Sequence, residues 1–166
     1  MADEEFRTFV EMRYARLLRT AYLLAGSPEL AEDILQSALL AAMLRWRRVE
    51  QPEAYLRRIM VNQLVSRWRR KQVVEVLTAV LPERASPSGQ PELRDELWQA
   101  LRTLPPRMRA VLVLRYWEDL SEAATAQALG CSVGAVKSQA SRGLARLRAV
   151  LAPEALPALS VTNTGS

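Results

Sequence analysis

Apolar residues return at intervals of three and four along almost the whole chain, and each run is cut by a helix stop followed by a helix start. That pattern leaves room for helices packed on helices, and no stretch alternates as a strand would. The first run, Phe6, Val10, Tyr14, Leu17, Ala21 and Leu24, predicts a helix from about Asp3 to Ala25 with these side chains on one buried face. Gly26 ends it. Ser27 as N-cap and Pro28 at the first helical position open a second helix, from about Pro28 to Arg48. Pro52 opens a third in the same way, to about Lys71, with Leu56, Met60, Leu64 and Trp68 turned inward. Four shorter helices are expected later: Pro91 to Arg102, Pro105 to Trp117, Ser121 to Leu129 and Ser132 to Leu151.

Between these two groups, Gln72 to Pro91 carries three prolines, a glycine and no sustained helical face beyond its first few residues, which marks a linker. Its first part, Val73 to Leu81, is apolar enough for a short extra helix or for a segment ordered by a partner, and the residues leave both open. The expected fold class is therefore all-α. Two small helical bundles, residues 1–72 and 91–152, are joined by a flexible linker over 73–90 and followed by a flexible tail over 153–166.

Composition narrows the chemistry. The chain has no histidine and one cysteine, Cys131, which removes the commonest general base, the histidine-assisted nucleophiles, intrachain disulfides and most zinc sites. An enzyme is disfavoured, and no metal or cofactor is expected. The longest uninterrupted apolar run, Ala38 to Leu44, is seven residues, far short of the ~18 that a membrane span needs. The acidic start, MADEEFRTFVEMR, is unlike a signal peptide, so a cytoplasmic location is expected.

The net charge of +5 is unevenly spread. Residues 1–44 carry net −3 and 72–101 net −3, whereas 45–71 carry +7 and 130–151 carry +4. Two basic blocks thus alternate with acidic ones, and nucleic acid is the partner they suit. In isolation the acidic and basic blocks are expected to pair with each other and hide the DNA faces.

The sharpest local signal is SEAATAQALGCSVGAVKSQASRGLARLR, Ser121 to Arg148. A short helix ends at Leu129, Gly130 supplies a left-handed turn residue, and Ser132 caps the next helix, which is helix-turn-helix spacing. Val133, Val136, Ala140, Leu144, Leu147 and Leu151 form its buried stripe. The opposite face presents Ala135, Ser138, Gln139, Arg142 and Arg146, flanked by Lys137, Ser141 and Arg148. Small residues permit close approach to a major groove, Gln and Arg can each bond a base edge twice, and Lys and Ser can hold phosphates. On the third helix Arg58, Asn62, Ser66 and Arg69 project away from the apolar stripe, and Arg67, Arg70 and Lys71 thicken the charge at its end. Neighbouring Trp46 and Tyr55 suit either a core or stacking on unpaired bases, the core being the commoner use. The second helix is apolar around much of its circumference, with Glu32, Asp33 and Gln36 beside it, as a docking face would be.

In this order, AEDILQSALLAAMLRW, EAYLRRIMVNQLVSRWRRK and LPPRMRAVLVLRYWEDLSEAATAQALGCSVGAVKSQASRGLARLR resemble the segments of the extracytoplasmic-function sigma factors of bacterial RNA polymerase. The resemblance spans Glu5 to Leu151. It implies that residues 1–72 are sigma region 2 and 91–152 sigma region 4, and that the partners are core RNA polymerase and promoter DNA. An inhibitory anti-sigma factor is common in the family, and the free chain is expected to be a monomer. Glu32, Asp33, Gln36, Leu39, Leu40 and Met43 would contact the polymerase. Arg58, Asn62, Ser66, Arg67, Arg69 and Arg70 would hold the melted −10 element, with Asn62 where the family often has a base-reading asparagine. Lys137, Ser138, Gln139, Ser141, Arg142 and Arg146 would read the −35 element. Ser37 stands where the family usually has Glu, and Ala124 and Thr125 stand where a bulky aliphatic is common. The competing reading is a stand-alone helix-turn-helix repressor or activator with an N-terminal dimerisation or sensing bundle. It explains the carboxy half equally well but leaves the second basic helix and the apolar excess of the second helix without a role.

Overall fold

A computed structural model describes residues 1–77 and 96–151, and the side chains of residues 72–77 lie outside the description. Helix α1 runs Ala2–Ala25, α2 Pro28–Leu44, a 3-10 turn Trp46–Arg48, and α3 Pro52–Leu77. After the undescribed segment come α4 (Glu96–Arg102), α5 (Pro106–Leu112), a π-helical turn (Val113–Trp117), α6 (Glu122–Leu129) and α7 (Val133–Val150). The described residues contain no strand.

The punctuation works as its chemistry requires. Gly26 ends α1 at φ 76°, its N–H donating to the Tyr22 carbonyl, and Gly130 ends α6 at φ 68°. Ser27, Ser121 and Ser132 are extended N-caps whose Oγ atoms accept from Leu30, Ala124 and Ala135 N–H at 3.3, 3.0 and 3.1 Å. The second helix stops at Leu44, and Trp46–Arg48 tighten into the 3-10 turn instead of continuing it to Arg48. The third runs past the expected Lys71 to Leu77, so the start of the segment read as linker is helical backbone. The expected helix start at Pro91, the rest of the linker and the tail fall outside the described residues.

α1, α2 and α3 pack on one another, and α5 and α6 pack on α7, giving two helical units. Leu17, Ala21, Leu24, Ile34, Leu35, Leu56, Met60 and Leu64 fill the first, and Leu112, Leu114, Leu129, Val136 and Leu147 the second. Each buried large aliphatic contributes about 1.5–3 kcal/mol of transfer free energy. Where α7 crosses α5 the contact is close enough to need Gly143: a β-carbon there would lie 2.8 Å from Leu112 Cδ1.

Several stripe residues are less buried than expected, Phe6, Val10 and Trp68 being half-buried. Tyr14 is 41% exposed, because the α1 core is concentrated in its carboxy-terminal half, where Leu17, Thr20, Leu23 and Leu24 meet other helices. Val133, in the first turn of α7, is also exposed, and Leu144 is only half-buried. Trp46 is half-buried and packs on α1, its ring 5.3 and 5.2 Å from those of Phe6 and Phe9. The two units are also packed on each other: α1 meets α4, α5 and the π turn, and α3 meets α6.

Candidate nucleic-acid interface

α7 is positioned by its buried stripe and its Ser132 cap, which leaves Lys137, Ser141, Arg142, Arg146 and Arg148 exposed on one side. Arg142 Nη2 donates to Ser138 Oγ at 2.6 Å, one helical turn back, which holds the guanidinium over the face. Ser138 and Gln139 are half-buried. The Gln139 Oε1 atom is out of solvent with no hydrogen-bond partner among the described residues. Of the candidate −35 residues, Lys137, Ser141, Arg142 and Arg146 are thus exposed, and Ser138 and Gln139 are half-buried.

α3 carries the second basic face. Arg58, Asn62, Arg67, Arg69, Arg70 and Lys71 are exposed and Ser66 half-buried, but Arg58 and Asn62 line a cleft toward α6 whereas Arg67 reaches α2. Arg67 is not free, since its Nη2 donates to the Asp33 carboxylate of α2, joining a candidate DNA residue to a candidate polymerase residue. At the start of the helix, Arg48 and Glu50 of the preceding loop and Tyr55 and Arg58 of α3 help line a depression of about 350 Å³, which gives Tyr55 a partly open position.

On α2, Glu32, Asp33, Gln36, Leu40 and Met43 are exposed and Leu39 half-buried. Leu40 is 56% and Leu44 75% exposed, which leaves an apolar strip at the end of the helix. The apolar excess is thus a solvent-facing surface rather than a sandwiched one. Among the described residues no helix is long and apolar enough to cross a membrane, and no cluster of metal-ligating side chains occurs.

Sequence reading missed the residues that join the two units. Arg109, 7% exposed, donates from Nε to the Leu24 carbonyl and from Nη2 to the Ala25 carbonyl, each at 3.1 Å. Burial, with a lesser contribution from Arg102, lowers its pKa to about 10, so it stays cationic at neutral pH. Glu118 accepts from Thr20 Oγ1 at 2.7 Å and Arg57 Nη1 at 3.2 Å. Trp98 Nε1 donates to the Tyr22 carbonyl and Trp117 Nε1 to Thr20 Oγ1. The available signal was an arginine at 109 inside the apolar run Met108 to Leu114.

Comparison with known proteins decides between the two readings. Residues 9–73 match the family Sigma-70 region 2, and residues 94–147 match Sigma-70, region 4. The RNA polymerase sigma-E factor of Streptomyces coelicolor is 42% identical over 159 residues, covering 93% of this chain and 90% of that protein. The ECF RNA polymerase sigma factor SigM of Mycobacterium tuberculosis is 34% identical over 154 residues, covering 90% and 76%. The chain belongs to the ECF sigma factors. Among solved structures, the sigma factor RpoE of Bartonella quintana, in complex with the anti-sigma factor NepR, superposes with a TM-score of 0.64 at 25% identity. That match covers 89% of this chain and 96% of the other. As a sigma factor the chain acts in promoter-directed initiation of transcription, and the stand-alone regulator is not favoured. Sigma factors are non-enzymatic regulators of transcription.

Proposed function

We propose that this sigma factor divides its work among three faces. The outer face of α2, Glu32, Asp33, Gln36, Leu39, Leu40 and Met43, docks on core RNA polymerase. α7 enters the major groove of the −35 element, with Arg142 and Gln139 at base edges and Lys137, Ser138, Ser141 and Arg146 fixing its register. α3 and the loop before it take the −10 element as it melts, with Asn62 reading a base and Arg58, Ser66, Arg67, Arg69 and Arg70 following the backbone. Extruding a base costs a few kcal/mol, which phosphate contacts and a seat for the base offset. The depression beside Tyr55 supplies such a seat. Regions 2 and 4 correspond to residues 1–72 and 91–152, and each raises the effective concentration of the other once one is bound. The protein is cytoplasmic, monomeric when free, and catalyses no reaction of its own. An anti-sigma factor, the class of protein bound to the Bartonella relative, is a further partner of this reading.

The observation that carries this assignment is the exposed Arg142–Arg146 face of a helix seated by a helix-turn-helix cap and buried stripe. Photo-crosslinking in the polymerase holoenzyme tests it. A photoreactive side chain at 142 is expected to capture upstream duplex, and one at 62 the downstream non-template strand. Crosslinks from both positions to one promoter block would refute the division.

A further inference from the structure

Choosing one base with a long side chain requires that the side chain be held still, and α7 treats its exposed cations unequally. On a helix surface the neighbour of each residue lies one turn earlier. For Lys137 that neighbour is Val133 and for Arg146 it is Arg142, neither of which can accept a hydrogen bond. For Arg142 it is Ser138, whose hydroxyl can. The side chains follow this chemistry. Arg142 Nη2 donates to Ser138 Oγ at 2.6 Å, whereas the side chains of Lys137 and Arg146 make no hydrogen bond or ion pair among the described residues.

That one bond restricts how Arg142 can be used. A guanidinium is planar and can bond two acceptors side by side through either of two edges, Nε with Nη2 or Nη1 with Nη2. Nη2 belongs to both edges, so with one of its hydrogens on Ser138 a single bidentate edge is left whole. Ser138 is half-buried and its oxygen is one torsion from the backbone, which makes it a short anchor for a long, solvent-exposed side chain. The hydroxyl has no second partner among the described residues, so it keeps a hydrogen to donate. On duplex DNA that hydrogen suits a phosphate oxygen, and accepting from Arg142 strengthens the donation. Resting on the proposed role of α7 in the major groove, we infer that Ser138 is a positioning residue: it presents Arg142 to the base edge in one arrangement and so sets how sharply one upstream base is chosen. Ordering a free, rotamer-rich side chain on binding shifts an equilibrium by about two- to tenfold. A guanidinium already held avoids that loss only where the base accepts its bonds, so the gain falls on selectivity.

The test measures binding of the polymerase holoenzyme to promoters that differ at single −35 positions. Arg142→Ala first identifies the position that Arg142 reads. There, Ser138→Ala is expected to lower the preference for the favoured base about two- to tenfold, with preferences at the other upstream positions unchanged. Alanine is the better helix former, so α7 keeps its fold in this variant. Added to Arg142→Ala, the same substitution should change that preference no further, because nothing is left to position. Ser138→Thr returns the hydroxyl and is expected to restore the preference lost with alanine. A serine that only bonds phosphate would behave otherwise, with equal loss of affinity on every promoter whether or not Arg142 is present. That pattern, or a Ser138→Thr no more selective than Ser138→Ala, overturns the inference alone. An Arg142→Ala that relaxes no position overturns the reading of α7 as the −35 helix, and the inference with it.

Discussion

Replacing Gly143 with alanine sets two opposing effects against each other. Alanine inside a helix is favoured over glycine by about 0.8–1.0 kcal/mol. The new β-carbon, however, would lie 2.8 Å from Leu112 Cδ1, 3.0 Å from Leu112 Cγ and 3.1 Å from Met108 Cγ. Both neighbours are buried, so neither has solvent to swing into, and overpacking of a filled core costs about 1–3 kcal/mol. The steric effect prevails, leaving a net loss of up to about 2 kcal/mol. In a unit of this size each kcal/mol lowers Tm by about 4–8 °C. Gly134→Ala is the control, since its β-carbon would meet nothing nearer than Ser132 Oγ at 3.9 Å and the propensity gain acts alone. Thermal unfolding of the full chain followed by circular dichroism compares the two. A Tm for Gly143→Ala raised as far as that of Gly134→Ala would refute the close α5–α7 crossing and with it the seating of the reading helix.

Thr125 is fully buried with an unpartnered Oγ1, so Thr125→Val, which keeps the shape and removes the orphan hydroxyl, should stabilise the fold by about 1 kcal/mol in urea denaturation. Leu40→Asp places a charge on the exposed apolar strip of α2; core polymerase binding should fall about tenfold or more while the melting curve stays put. Arg142→Ala should cost about 1–3 kcal/mol and relax preference at one upstream position if its guanidinium spans a guanine, as binding to a panel of single-base promoter variants would reveal. Asn62→Ala should alter discrimination at the downstream element with polymerase affinity unchanged, read by transcription from −10 variants alongside a core-binding titration.

Much of the architecture is written in local chemistry. Ser27, Ser121 and Ser132 cap, Gly26 and Gly130 stop, and Val136, Ala140 and Leu147 turn inward because these effects act within one helical turn. The basic faces of α3 and α7 are legible for the same reason, since charges left off an apolar stripe must face water. What local pattern does not encode is the contact between units. Val61 and Val65 are buried although neither belongs to the expected Leu56–Met60–Leu64 stripe, because α3 packs on α6 as well as on α2. The partners of Arg109 and Glu118 are not legible locally, because α1 and α3 are brought to them from 61 to 98 residues away in the chain. The 3-10 turn after Leu44 was hidden likewise, because Trp46 is drawn back onto Phe6 and Phe9 by tertiary packing.

The central claim is that this chain, on core RNA polymerase, selects promoters by two separated elements. Run-off transcription with purified core polymerase on a library of randomised promoters, with and without the protein, tests it most directly. The account predicts transcripts that appear only with the protein present and whose templates share two motifs at a fixed spacing, the upstream one lost with Arg142→Ala and the downstream one altered with Asn62→Ala. No protein-dependent transcripts, together with specific binding of the chain alone to a single duplex motif, would contradict it.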